Sequence, residues 1–384
     1  MGNVGLRDSD LSPLVLGELG TVLFVLGIAT YFAVKFRFSV VPIFLIGGLF
    51  FGNGGITPLS LSDNFLDLGA QIGGILLLLL LGLEFTADEI FGSLKMRKAL
   101  WLYDLLLNFT PGFILGYIFG WGLLGAVGLG GVTYVSSSGI ASHSIKDYSL
   151  EKSEVARRSI AVLVVEDVVL ALYLPIFSSL IVVASFWAGL VSFAIALAII
   201  GLTLLLASKN LHLSKNAIIL GDSATLLLIV FGGALLVAGL STLLGFSGAV
   251  AAFLLGLLLT GDFAIVARER LAPLRDLFAA IFFLFFGLSI NPSTLPPAFW
   301  PALLLSTIGV GTKLLTAFLA SRGLSKGSFA EALLIFLPRG EFSILIAGLL
   351  SFATFGEEFQ AITILFVLIT SLTSSILGRI LIKR

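Results

Sequence analysis

Thirteen apolar runs dominate this 384-residue chain, most of them close to the ~20 residues that a helix needs to cross a bilayer. They fall at roughly Leu14–Val34, Val40–Gly52, Leu66–Leu83, Ala99–Trp121, Gly122–Ser142 and Val155–Leu180. The others are Ser185–Ala207, Ala217–Leu240, Phe246–Thr260, Leu274–Ile290, Ala298–Ala320, Phe329–Leu350 and Phe359–Leu381. The second is short, and the fifth and twelfth are polar in the middle. Hydrophobic residues make up 58% of the chain and its mean hydropathy is +1.14, against about 45–50% apolar for soluble domains. No polar stretch is long enough to form a soluble domain of its own. The expected fold is an all-α polytopic membrane protein with thirteen transmembrane helices.

The basic residues orient these spans. Lys35, Arg37, Lys95, Arg97, Lys98, Lys146, Lys152, Arg157 and Arg158 follow spans one, three and five. Lys209, Lys215, Arg268, Arg270, Arg275, Arg322, Lys326, Arg379, Lys383 and Arg384 follow spans seven, nine, eleven and thirteen. Only Arg7 falls on the other side. The positive-inside rule then puts the N-terminus outside and the C-terminus in the cytoplasm. Trp101, Trp121, Trp187 and Trp300 sit at span ends, as an aromatic belt requires. Met1–Ser12, with one cation and two acids, is not a signal peptide. The balance of 22 basic against 22 acidic residues gives no sign of a nucleic-acid partner. Zero cysteines exclude disulfides, thiolate metal sites and cysteine nucleophiles.

Glu166 and Asp167 stand side by side at the centre of the sixth span. A charge at the bilayer midplane costs at least ~2.5–3.5 kcal/mol on insertion scales, so adjacent carboxylates there point to a charged cargo. Rise along a helix gives their depth: Asp167 is ten residues beyond Arg157, ~15 Å into a ~30 Å core. Lys313, nine residues before Arg322, reaches ~14 Å, and Ser138, eight before Lys146, ~12 Å. An acid pair, a cation and a hydroxyl cluster therefore meet at one level.

Two spans carry breaks there. The fifth reads Gly130 to Ser144 with Ser136-Ser137-Ser138-Gly139 at its centre, and the twelfth contains Leu337-Pro338-Arg339-Gly340-Glu341-Phe342-Ser343. Proline and glycine disrupt helix geometry, and serine runs compete for backbone hydrogen bonds. Irregular backbone at membrane depth survives only inside protein or beside a cavity. The two spans are seven apart, so they run in opposite senses, which is the pattern of inverted repeats with two crossed broken helices around a transport site.

At these residues the chain resembles the monovalent cation:proton antiporter-2 superfamily, and within it the Kef-type potassium/proton branch. Ser137-Ser138-Gly139-Ile140-Ala141 is similar to the family's crossover-helix motif, Arg158 to Pro175 to its ion-site helix, and Phe282–Asn291 to its Phe-Phe…Gly span. Arg339-Gly340-Glu341-Phe342 is similar to its Gly-Glu-Phe motif, the most specific single match. The resemblance covers the whole chain. It implies a homodimer in a prokaryotic cell membrane that exchanges K⁺, or alternatively Na⁺, for H⁺ without a cofactor by an elevator motion. It also implies a dimerisation part at about 14–83 and 217–290, a core at about 99–180 and 298–381, and a linker helix at about 185–207. Sodium-selective relatives carry Asp-Asp at the ion site and Kef proteins usually Gln-Asp; this chain has Glu166-Asp167. Kef proteins often continue into a cytoplasmic nucleotide-binding domain, so a separate regulatory subunit or a further C-terminal domain is expected.

The expected roles follow. Asp167 alternately binds the transported metal cation or a proton, and because the two compete for one carboxylate, exchange needs no other coupling device. Glu166 either joins the ion or pairs with Lys313. Ser137 and Ser138, with Ser136, offer hard oxygen ligands or simply bond to backbone. Lys313, Arg339 and Glu341 compensate charge, the last two by offsetting half-helix dipoles and each other. Asp104 reads as structural, His143 and His212 as interfacial histidines, and Glu84, Asp88 and Glu89 as a solvated span end. The chain is not expected to be an enzyme. Gly245-Phe246-Ser247-Gly248 matches the Gly-x-Ser-Gly pattern of intramembrane serine proteases, but Ser247 opens a span from the outer face while His143 lies near the inner one. A channel would repeat its charged elements by symmetry, and a sodium-coupled organic-solute symporter would need room for its substrate.

Overall fold

Helices alone make up the regular structure of the described residues, as backbone in lipid requires. The computed structural model describes residues 13–36, 38–52, 54–56, 58, 63–84, 98–181, 202, 223–243, 247–259, 261–325 and 327–382. The seventh span with its linker role (but for Leu202), His212, Asp88, Glu89 and the side chain of Glu84 lie outside the described residues. In chain order the helices are α1 (Pro13–Lys35), α2 (Val41–Phe51), α3 (Asp63–Glu84), α4 (Lys98–Ile118), α5 (Gly122–Tyr134), α6 (Ser138–Asp147) and α7 (Glu154–Ile181). There follow α8 (Ser223–Leu243), α9 (Gly248–Leu258), α10 (Gly261–Leu288), α11 (Leu295–Ser321), α12 (Ser328–Phe336), α13 (Glu341–Leu349) and α14 (Gly356–Leu381). Among the described residues six helical segments are long and apolar enough to cross a membrane: Gly122–Asp147, Glu154–Ser178, Ala224–Leu243, Pro292–Ser321, Ser328–Leu349 and Gly356–Leu381.

Among the described residues the element bounds depart furthest from the apolar runs at α10. α10 begins at Gly261, well before the run at Leu274, so Arg268, Glu269 and Arg270 belong to a helix and not to a loop. The Ala-Arg-Glu-Arg-Leu-Ala stretch is made of good helix formers, and charge does not stop a helix that leaves the apolar layer.

Small residues set how closely the helices pack. α3 meets α9 where a Cβ on Gly82 would stand 2.2 Å from the Phe253 carbonyl oxygen and 2.9 Å from the Gly256 Cα. α4 meets α5 at Gly112, where a Cβ would fall 2.4 Å from the Leu129 carbonyl oxygen. Backbone-to-backbone contact of this kind ties α3 to α9 and α4 to α5 as rigid pairs.

The fifth and twelfth runs each break into two helices. α5 ends in extended backbone at Val135 (φ −75°, ψ 128°), and α6 restarts with Ser137 as its cap, the side chain accepting from the Ile140 N–H at 3.2 Å. α12 stops at Phe336 and α13 restarts at Glu341, across the Leu337–Gly340 link. α6 packs on α12, and α13 on α5, so each first half lies beside the other's second half. The breaks cross there, joined by the Ser137 N–H donating to the Pro338 carbonyl at 2.8 Å.

Candidate functional site

Lys313, on α11, is fully buried between two acids from two other helices. Its Nζ lies 2.8 Å from Asp104 Oδ1 on α4 and 3.0 Å from Glu166 Oε1 on α7, and it stands 5.6 Å from the centre of the Phe336 ring. Three N–H groups on an ammonium thus face two carboxylates and an aromatic face. Two buried carboxylates would be prohibitive without such donors.

Each acid has further partners. Glu166 Oε2 accepts the Ser136 backbone N–H at 2.5 Å, and the Ser136 hydroxyl lies 3.2 Å from Glu166 Oε1 and 3.0 Å from the Phe336 carbonyl oxygen. The first break therefore supplies a freed main-chain donor to an acid, as broken helices can. Asp104 Oδ1 also accepts from Asn108 Nδ2 at 2.9 Å and from the Thr316 hydroxyl at 2.9 Å, and Thr312 donates to Asn108 Oδ1 at 2.8 Å. Asp104 and Asn108, four apart on α4, share one face, as do Thr312 and Thr316 on α11. Every donor on Asp104 converges on a single oxygen; Oδ2 is buried without a hydrogen-bond partner.

Arg339 sits in the second break, 1% exposed. Its Nη1 donates to the Phe336 carbonyl at 3.1 Å and its Nη2 to the Thr133 carbonyl at 2.9 Å. Those carbonyls belong to the C-terminal ends of α12 and α5, so one guanidinium faces the negative ends of both first half-helices. Nη1 also lies 3.4 Å from Ser136 Oγ, and the group stands 5.7 Å from the Phe366 ring. Glu341 opens α13 at the opposite pole of a half-helix, where its Oε2 accepts the Ser137 hydroxyl at 3.0 Å. Arg339 and Glu341 make no ion pair with each other: one serves C-termini, the other an N-terminus.

Asp167 is 6% exposed, next in the chain to Glu166 and within electrostatic reach of Tyr134 at the end of α5, as are Glu166 and Asp104. Ser136 and Ser137 are buried, and Ser138 is half-buried at the start of α6. A Cβ on Gly139 would sit 3.4 Å from Glu341 Oε1, so the two breaks face each other across a short gap. His143 is exposed on α6. Ser247 caps α9 by accepting the Val250 N–H and is not hydrogen-bonded to His143.

The family described as sodium/hydrogen exchanger, transmembrane, matches residues 20–383. The chain belongs to that family. Cation:proton antiport across a membrane is the activity of the exchanger, and its family is one of transporters. Among its relatives, the K(+)/H(+) antiporter subunit KhtU of Bacillus subtilis is 31% identical over 343 residues, which are 86% of this chain and 85% of KhtU. The ammonium/H(+) antiporter subunit AmhT of Alkalihalophilus pseudofirmus is 27% identical over 361 residues, 88% of this chain and 87% of AmhT. In architecture the exchanger is similar to the sodium proton antiporter MjNhaP1 of Methanocaldococcus jannaschii, with a TM-score of 0.67 at 20% identity over 94% of this chain and 98% of that one.

For one member of the cluster the sequence gives the role without the partner. Asp104 reads there as a structural acid, and it holds Lys313 as closely as Glu166 does. The spacing Asp104…Asn108 on one face of an apolar helix, matched by Thr312…Thr316 around Lys313, is the signal that carries it.

Proposed function

We propose that the exchanger carries K⁺ in preference to Na⁺ against H⁺, with Asp167 as the group that holds either cargo in turn. The observation that carries this reading is a pair of adjacent buried acids on α7, set against the break between α5 and α6. Glu166 is engaged by Lys313 and by Ser136. Asp167 faces about 100° further round α7, within electrostatic reach of Tyr134 at the end of α5. Ser137, Ser138 and carbonyls freed at the breaks supply the hard oxygen atoms that an alkali cation takes. The preference for K⁺ rests on the likeness to KhtU across most of both chains.

Alternating access in this reading is an elevator motion of a core (about 99–180 and 298–381) past a dimerisation part (about 14–83 and 217–290) in a homodimer with thirteen spans arranged as inverted repeats. The backbone-to-backbone glycine contacts support it, since Gly82 with Gly256 lies within one part and Gly112 with Leu129 within the other. The chain sits in a prokaryotic cell membrane with its N-terminus outside. A separate cytoplasmic regulatory subunit fits the naming of KhtU and AmhT as antiporter subunits.

Purified protein in liposomes, given a proton gradient and a series of alkali cations, tests the reading. Exchange with K⁺ above Na⁺, lost in Asp167→Asn and retained in part in Glu166→Gln, is the expected result. An Asp167→Asn protein that still exchanges would sink it.

A further inference from the structure

Four charged groups in the core are 0–1% exposed, two of each sign: Asp104 and Glu166 against Lys313 and Arg339. Their bonds are mutual or go to neutral partners within the core. Lys313 divides its donors between the two acids, and Arg339, in electrostatic reach of both, is bound to carbonyls of α5 and α12. Each acid meets strong donors: Lys313, Asn108 and Thr316 on Asp104 Oδ1, and Lys313 with the Ser136 N–H on Glu166. Donor-rich surroundings of this kind suit ionised carboxylates, which only accept. With all four ionised, the set sums to zero.

Lys313 could leave such a set only if both acids let it go. A lysine with one acid partner is set free when that acid takes cargo; a lysine with two is not. If Glu166 were displaced, Asp104 would still hold the ammonium at 2.8 Å, with Asn108 and Thr316 fixing the carboxylate that does so. Tyr134, from α5, also faces the cluster, within electrostatic reach of Asp104, Glu166 and Asp167, and its hydroxyl is buried without a hydrogen-bond partner.

We infer that Asp104 is a positioning residue: it fixes Lys313 as a standing counter-charge to Glu166, so that cargo changes the charge of the site by one unit only and each cation is exchanged for a single proton. The inference rests on the function proposed above for Asp167 and adds the number of charges moved per turnover. Asp104 has no contact with cargo in this scheme; it acts through Lys313.

The experiment uses the full chain in liposomes, with exchange read by a pH dye and net charge read by solid-supported-membrane electrophysiology. One-for-one exchange predicts a dye signal without sustained charge displacement, and an imposed pH difference of one unit nulled by about a tenfold cation gradient. A null near a hundredfold gradient, with charge displacement following the dye signal, means two protons per cation and overturns the inference while leaving Asp167 as the cargo site. Absence of exchange with every alkali cation overturns the function on which it rests, a distinguishable failure. Two variants probe the positioning role. Asp104→Asn removes one negative charge from a balanced set and should raise the cation KM about tenfold at similar folded yield, whereas Asp104→Glu keeps the charge and should restore most of the affinity. An unchanged KM in Asp104→Asn, or equal loss in both variants, contradicts the role given to Asp104; the gradient null is measured on the unmodified chain and decides the stoichiometry even if both variants fail to fold.

Discussion

Ser137 and Pro338, 201 residues apart in the chain, are joined by a main-chain hydrogen bond of 2.8 Å that fastens one helix break to the other. Two interrupted helices leave orphan N–H and C=O groups in a region without water, and these must be met inside the protein. The crossing meets several at once: the Pro338 carbonyl by Ser137, the Ser136 N–H by Glu166, and the Thr133 and Phe336 carbonyls by Arg339.

The crossing leaves no room for a methyl group. A Cβ on Gly340 would stand 2.5 Å from Ser137 Oγ and 2.7 Å from Ser137 Cβ. Gly340→Ala should therefore destabilise by about 1–3 kcal/mol through overpacking, read as a lower melting midpoint of the detergent-solubilised protein. Adding Ser137→Gly opens the space again and should recover most of the midpoint, though not transport. A midpoint unmoved by Gly340→Ala would mean that the crossing is looser than 2.5 Å implies.

Lys313→Met should be the most damaging change in the cluster. It strands Asp104 and Glu166, both buried, without their shared cation, and breaking a buried pair by removing one partner typically costs about 3–5 kcal/mol. Asp104→Asn added to Lys313→Met removes one of the two stranded charges. The double variant should melt at a higher temperature than Lys313→Met alone, and the difference between the two midpoints reports what the stranded Asp104 charge costs through its burial and its repulsion with Glu166 together.

Arg339→Lys keeps the charge and should still lose stability. A guanidinium reaches the Thr133 and Phe336 carbonyls together because its nitrogens form a rigid fork, whereas an ammonium is a point charge on a flexible stem. One carbonyl left buried without a donor costs about 1–3 kcal/mol. Thermal melting of Arg339→Lys beside Arg339→Met separates the two contributions: a lysine variant as stable as the native chain would show that charge alone is needed there.

Much of this cluster can be read in the sequence because lipid makes polar residues conspicuous. Glu166, Asp167, Lys313 and Arg339 stand out from apolar runs, and Ser136–Gly139 and Pro338–Gly340 announce their breaks by composition. What stays hidden is pairing. Nothing in the chain says that Lys313 meets Asp104, 209 residues away, or that Arg339 faces two helix ends and not Glu341, since those depend on how α4, α5, α11 and α12 are brought together. The early start of α10 is hidden for another reason. Arg268 and Arg270 look like loop charges, and hydropathy cannot distinguish a solvated helix end from a loop.

Under the proposed function, competition at Asp167 fixes the direction of the pH dependence. A carboxylate binds an alkali cation only when ionised, so cation affinity follows the fraction of Asp167 without a proton. Above the pKa of the group, apparent KM for K⁺ is flat; below it, every unit of acidification should raise KM about tenfold while saturating K⁺ still restores the maximal rate. Initial rates of dye-monitored exchange over a grid of K⁺ concentration and pH, with internal and external pH equal at the start, measure this directly. A KM that steepens to about a hundredfold per unit would require two protons to leave before one cation binds. A KM independent of pH, with only the maximal rate falling, would place proton and cation on separate groups and remove Asp167 as the shared one.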